Sequence, residues 1–129
     1  MIDQLCTHRL FAGMDTQRLS ATVNGGEVKL CEFASGEEIY SPYDKEKKLG
    51  FLLSGSASVF SADENNAVLL RILEKGDTFG VANLFSSHET FVSLIVAKKA
   101  CKILFFSEAS VAALLREDSV FCMNYIHFL

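Results

Sequence analysis

Positive charge is scarce in this chain and nowhere concentrated. Twelve Lys and Arg residues face sixteen Asp and Glu, a formal net charge of −4. Lys45, Lys47 and Lys48 are interleaved with Asp44 and Glu46, and Lys98-Lys99 is only a pair. Nucleic-acid-binding surfaces carry a basic patch or stripe, so this segment alone is not expected to grip DNA or RNA. Long apolar runs are missing too. Stretches such as Leu94-Ile-Val-Ala97 and Ile103-Leu-Phe-Phe106 are far too short to span a bilayer. With an acid at Asp3 and no leader-like apolar run at the start, the chain reads as soluble and cytoplasmic, with no membrane partner.

Paired cysteines and clustered histidines are absent as well. Cys6, Cys31, Cys101 and Cys122 are dispersed with no Cys-x-x-Cys spacing, the pattern of buried thiols acting as small hydrophobes. Cys6-Thr-His8 offers two local donors, whereas structural zinc takes four. A metal-dependent jelly-roll dioxygenase needs two or three His with a carboxylate on facing strands. None of His8, His88 and His127 falls on an expected strand. No nucleophile–base pair stands out. The sequence therefore predicts no enzyme, no catalytic residues, no metal and no cofactor.

What is present is apolar material and glycine punctuation. Half of the 129 residues are hydrophobic and eleven are Phe, enough for one packed domain. Asp15 is a plausible N-cap for a helix over Thr16–Val23, with Asn24-Gly25-Gly26 as its stop. Leu19 and Val23 would face the core, and Leu5, Leu10 and Phe11 belong to a preceding helical turn. From Glu27 the period changes to two. Val28, Leu30 and Glu32 share one face of a strand; Lys29, Cys31 and Phe33 share the other. Gly36 opens a turn into Glu38-Ile-Tyr40, and a charged loop with the only Pro, Pro42, follows. Leu49 to Phe60 reads as two strands bent at Ser54-Gly55. Asp63–Asn66 reads as a hairpin tip, Ala67–Leu73 as the return strand and Gly76-Asp77 as a turn. Phe91–Ala97 and Cys101–Phe106 read as two more strands. About eight short strands with regular turns favour an antiparallel sandwich or jelly roll. Ser107 resembles an N-cap before a helix bearing Val111, Leu114 and Leu115. A last helical run, Ser119–Leu129, is apolar almost all round, which suits a helix that packs against a partner.

The order Phe33-Ala-Ser-Gly36, Leu53-Ser-Gly55 and Gly76-Asp-Thr-Phe-Gly80 resembles the cyclic-nucleotide-binding domain of the Crp/Fnr superfamily of transcription regulators. The resemblance covers about Leu10 to Leu129. It implies a mainly β fold, a double-stranded β-helix (jelly roll) with flanking N-terminal and C-terminal α-helices. Residues 1–26 would be the N-terminal helical segment, 27–107 the jelly roll, and 108–129 the C-terminal helices with the start of a dimerisation helix. That helix would pair two copies through Val120, Met123, Ile126 and Leu129. The chain is read as part of a longer regulator whose DNA-binding helix-turn-helix lies outside it.

In the family a Glu after Phe-Gly holds a ribose, and an Arg further on, followed by Ala or Ser, holds the cyclic phosphate. Here those positions are Val81 and Phe91-Val92. Loss of a charge-assisted partner costs about two decades of affinity or more, so neither cAMP nor cGMP is the expected ligand. The resemblance places a small-molecule effector among Leu70, Ile72, Gly80, Val81, Ala82, Leu84, Ser86, Ser87, Phe91 and Val92. His88 and Thr90 are further hydrogen-bonding candidates, and the amides of Val81 to Leu84 would form an anion-receiving helix start. Two alternatives stay open: a ligand-free structural domain whose pocket Val81 and Phe91 fill, and a cysteine-based redox sensor.

Overall fold

The structure, a computed structural model, describes residues 1–41, 46–61, 68–85 and 93–129. Among them are helices α1 (Ile2–Cys6), α2 (Thr16–Val23), α3 (Glu108–Glu117) and α4 (Ser119–Phe128). Eight strands lie between the two helical ends: β1 (Val28–Phe33), β2 (Glu38–Tyr40), β3 (Lys48–Ser54), β4 (Ala57–Phe60), β5 (Leu69–Leu73), β6 (Thr78–Phe79), β7 (Leu94–Ala97) and β8 (Cys101–Ser107). They form two four-stranded sheets, ordered β1-β8-β3-β6 and β2-β7-β4-β5. Every pairing is antiparallel. This is the expected jelly roll with helices at both ends. The expected hairpin tip at Asp63–Asn66 lies outside the described residues.

Local chemistry explains the element boundaries. The Asp15 side chain accepts from the Gln17 N–H at 2.9 Å and starts α2. Ser107 ends β8 and caps α3, its hydroxyl oxygen accepting from the Ser110 N–H at 3.0 Å. Asp118 then both ends α3 and caps α4, accepting from the Phe121 N–H at 2.9 Å. Each such cap is worth on the order of 1 kcal/mol. Leu10 and Phe11 follow α1 in turns rather than helix, yet both are buried.

The first sheet is packed on both faces, so its inner strands lose simple alternation. On β8, Leu104 and Phe106 face the helices, while Cys101, Ile103 and Phe105 face the second sheet. On β3, Leu49, Phe51 and Leu53 meet the helices and Leu52 meets the second sheet. The helix-side core is aromatic: Phe11 stacks on Phe106 at 5.4 Å and lies 5.6 Å from Phe121 and 6.4 Å from Phe51. On β1 the helical layer covers Val28 but leaves Leu30 exposed, while Cys31 and Phe33 pack against the interior between the sheets.

Candidate functional site

Between the two sheets lies a cavity of about 170 Å³. Its construction starts at the Gly76-Asp77 turn. The Asp77 carboxylate accepts from the Glu74 N–H at 2.7 Å and closes that turn. β6 is thereby laid against β3, with Gly50 opposite Phe79 and Phe51 opposite Thr78. A side chain at position 50 would place its Cβ 2.1 Å from the Phe79 ring. Glycine there lets the ring lie flat on the strand, where it meets Phe105 edge-on at 5.9 Å. Gly80 then turns the chain at φ +82°, and a Cβ would strike the Lys48 carbonyl at 2.3 Å. Only glycine serves both that conformation and that approach.

Around this floor the cavity is lined by Tyr40 of β2, Val59 of β4, Leu73 and Arg71 of β5, and Ile95 of β7, with Asn83 and Ser93 at the polar side. Lys48 enters from the opposite sheet. Its ammonium stands 5.1 Å from the centre of the Phe105 ring, a cation–π contact on the side of a neighbouring opening that Phe105 and Lys48 both line. Among the described residues that line it there is no Asp or Glu. An apolar patch of Val59, Leu73, Phe79 and Ile95 on which polar groups converge suits a small-molecule site.

The sequence-predicted pocket residues are only partly brought together. Gly80 lines the cavity. Leu70 is exposed and Ile72 half-buried, and both lie on the face of β5 opposite Arg71 and Leu73. Successive strand residues point to opposite faces, so a slip of one position exchanges wall for surface. Val81 and Leu84 are buried in the helix-side core and Ala82 is exposed, because the Gly80 turn carries the chain across the sheet. Residues 81–85 form turns, not the start of a regular helix. Ser86, Ser87, His88, Thr90, Phe91 and Val92 lie outside the described residues. Sequence reasoning missed Lys48, Arg71, Tyr40, Asn83 and Ser93. Counting back by twos from Leu73, the last apolar residue before the turn, would have found Arg71.

Two polar links tie the cavity's margin to the helices. The Tyr125 hydroxyl of α4 donates to the Val81 carbonyl at 2.5 Å, and Phe85 meets the Tyr125 ring edge-on at 6.0 Å. Burial pushes the Tyr125 hydroxyl up to about 12. The neighbouring Asn124 amide donates to the carbonyls of Leu10 and Ala12 at 3.1 and 2.9 Å. The outer face of α4 is unlike this inner one: Val120, Met123, Ile126 and Leu129 are 42%, 49%, 55% and 70% exposed.

The second link is His8. The Leu10 N–H donates to its Nδ1 at 3.1 Å, so the neutral ring carries its proton on Nε2, which faces the Thr78 hydroxyl at 3.3 Å. Burial lowers its pKa, Arg9 adds to that, and Asp77 opposes it. Both ring nitrogens are thus engaged inside the protein. Among the cysteines, Cys101 is buried, with its thiol facing the Ser56 and Lys99 carbonyls. Burial raises its pKa, which disfavours the reactive thiolate. Among the described residues, no helix is long and apolar enough to cross a membrane.

Comparison with known proteins places this geometry. No curated protein matches the chain by sequence. The fold superimposes on the sensor domain of the transcriptional regulator DNR from Pseudomonas aeruginosa with a TM-score of 0.85 at 16% identity, over 100% of this chain and 90% of that one. For the catabolite activator protein of Thermus thermophilus the TM-score is 0.78 at 20% identity, over 93% of this chain but 55% of that one. The chain thus spans about half the length of that regulator. For the regulatory domain of Toxoplasma gondii PKA with cAMP the TM-score is 0.74 at 15% identity, over 87% of this chain and 42% of that one. At such identities the likeness is one of fold. The sequence itself, over residues 30–118, matches the family model of the cyclic nucleotide-binding domain. That match takes in most of the chain and includes the β5–β6 turn and the floor of the cavity, and the chain therefore belongs to the cyclic nucleotide-binding domain family.

Proposed function

We propose that this chain is the effector-sensing and dimerisation domain of a Crp/Fnr-like transcription regulator. A small ligand other than cAMP or cGMP occupies the cavity between the sheets, and α4 relays its presence to a DNA-binding domain outside this chain. The relay would act as a shift between two packings of α4, each favoured by one ligation state.

The observation that carries this reading is the two-sided character of α4. Its inner face is bonded through Tyr125 to Val81, in the segment that follows the Gly80 turn, so a change in that segment reaches the helix directly. Its outward side carries exposed Val120, Met123 and Ile126, with exposed Leu129 just past its end, the pattern of a surface covered by a partner. The open cavity supports a ligand over a filled, purely structural interior. The loss of the ribose-binding Glu at Val81 argues against a cyclic nucleotide, as does the loss of the phosphate-binding Arg at Phe91. Sensor and regulator domains of the same fold support the regulatory setting.

Sedimentation velocity on the chain, with and without Met123→Glu and Ile126→Glu, tests the reading. The unsubstituted chain should self-associate, with its dimer dissociating on dilution, and each substitution should weaken that association about tenfold or more by burying a charge. Calorimetric titration with cAMP and cGMP should give no heat. A monomer indifferent to both substitutions, or micromolar binding of either nucleotide, would sink the proposal.

A further inference from the structure

The cavity carries positive charge that the family's phosphate-binding segment no longer supplies. Arg71 projects from β5 and Lys48 from β3, so the two cations enter from opposite sheets. Among the described residues the ion pairs join Arg18 to Asp118 and Lys102 to Glu32, and neither cavity cation takes part in one. A neighbouring opening shares Lys48 and carries Glu27 and Glu46. Lys48 therefore stands between acidic and basic surroundings, whereas Arg71, an exposed residue at the rim, meets no Asp or Glu among the described residues lining its cavity. In a chain with a net charge of −4, such a site selects sign.

We infer that the effector is a compact organic carboxylate, its oxyanion gripped by Arg71 with Lys48 as second cation and its apolar body seated on Phe79. This rests on the sensing role proposed above and names the ligand class of the same cavity. Arginine's planar fork matches a carboxylate with two parallel hydrogen bonds, which a point charge cannot reproduce. Among the described lining residues there is no Asp or Glu, so they offer an anion no repulsion and a sugar diol no carboxylate acceptor. At about 170 Å³ the cavity is smaller than the roughly 300–1,000 Å³ of drug-sized sites, so a small body fits better than a nucleotide. Tyr40 and Asn83 border the same space and add polar edges to an otherwise aliphatic and aromatic wall.

Amide-resolved NMR titration of the chain with benzoate, benzamide, phenyl phosphate and cAMP tests the inference. Benzoate should shift the signals of Gly80 and Ser93 and saturate in the millimolar range or below. Benzamide, of nearly the same shape but uncharged, should bind about tenfold more weakly. Arg71→Met should weaken benzoate by about tenfold or more and Arg71→Lys by less, while Lys102→Met, a change at an exposed cation far from the cavity lining, should leave it unaltered. The unliganded melting temperatures of the variants confirm that they fold. Equal binding of benzamide, or indifference to Arg71→Met, overturns the carboxylate inference and leaves the sensing role standing, because a ligand has entered. Tighter binding of phenyl phosphate also overturns the carboxylate class. Binding of cAMP contradicts the proposed function as well. No response at the cavity to any of the four probes overturns both readings.

Discussion

The two sides of the first sheet pose the same packing problem and solve it differently. The helix side is filled by interlocking rings: Phe11, Phe51, Phe106 and Phe121 are all essentially inaccessible to solvent. The side between the sheets holds Phe33, Tyr40, Phe79 and Phe105 and stays open beside Tyr40 and Phe79. A closed aromatic layer gives stability and rigidity. An open one gives up some of that stability and gains room for another molecule. In this chain the helix layer holds the frame and the sheet layer encloses the cavity.

Substitutions separate the two roles. Phe11→Ala removes the ring shared by Phe51, Phe106 and Phe121 and should cost about 3–5 kcal/mol in chemical denaturation, the range for large cavities in a core. A loss below about 1 kcal/mol would mean that the helix layer is no tighter than the cavity end. Gly50→Ala strikes the Phe79 ring and should cost about 1–3 kcal/mol by overpacking. Because Phe79 is the cavity floor, it should also alter ligand access, which a core substitution at Phe11 would not do in molecules that remain folded.

The smallest effect falls on the link between the regions. Tyr125→Phe deletes the hydroxyl that donates to Val81 and should cost about 1 kcal/mol near neutral pH. The folded state raises the Tyr125 pKa from 10.0 to about 12. The unfolded chain therefore releases a proton above pH 10 that the folded chain keeps. The hydroxyl's contribution is complete below about pH 10 and falls as the pH rises towards 12. The stability difference between wild type and Tyr125→Phe should shrink over that window in urea titrations. A difference independent of pH would mean that the hydroxyl is not buried against Val81.

Much of the frame was legible in the sequence because its signals are local. Asp15 and Ser107 cap the helices they were expected to cap, and the bend at Ser54-Gly55 separates β3 from β4. The cavity wall was harder to read. Along Ala67-Val-Leu-Leu-Arg-Ile-Leu73 both parities are apolar, so hydrophobicity does not say which face is inside. β5 is also a sheet edge, and Leu69 and Leu70 remain exposed on it, as does Val68 just before it. The register that decides the matter is set by pairing with β4, where Arg71 stands opposite Val59 and a shift lies between Val59 and Phe60. Lys48 was hidden for the opposite reason: it closes a run of charged residues and looks like the end of a loop. Val81 was placed by family position, whereas the Gly80 turn sends it into the other layer.

The ring of Phe79 occupies the volume that a side chain at Gly50 would need. Neither position can change freely while the other is kept. In the lineage of this protein, a smaller residue at 79 must come first before 50 can acquire a side chain, and the reverse order passes through a clash. The two sites are thus expected to covary among homologues, and the order of their replacement would record when the floor of the cavity was remade.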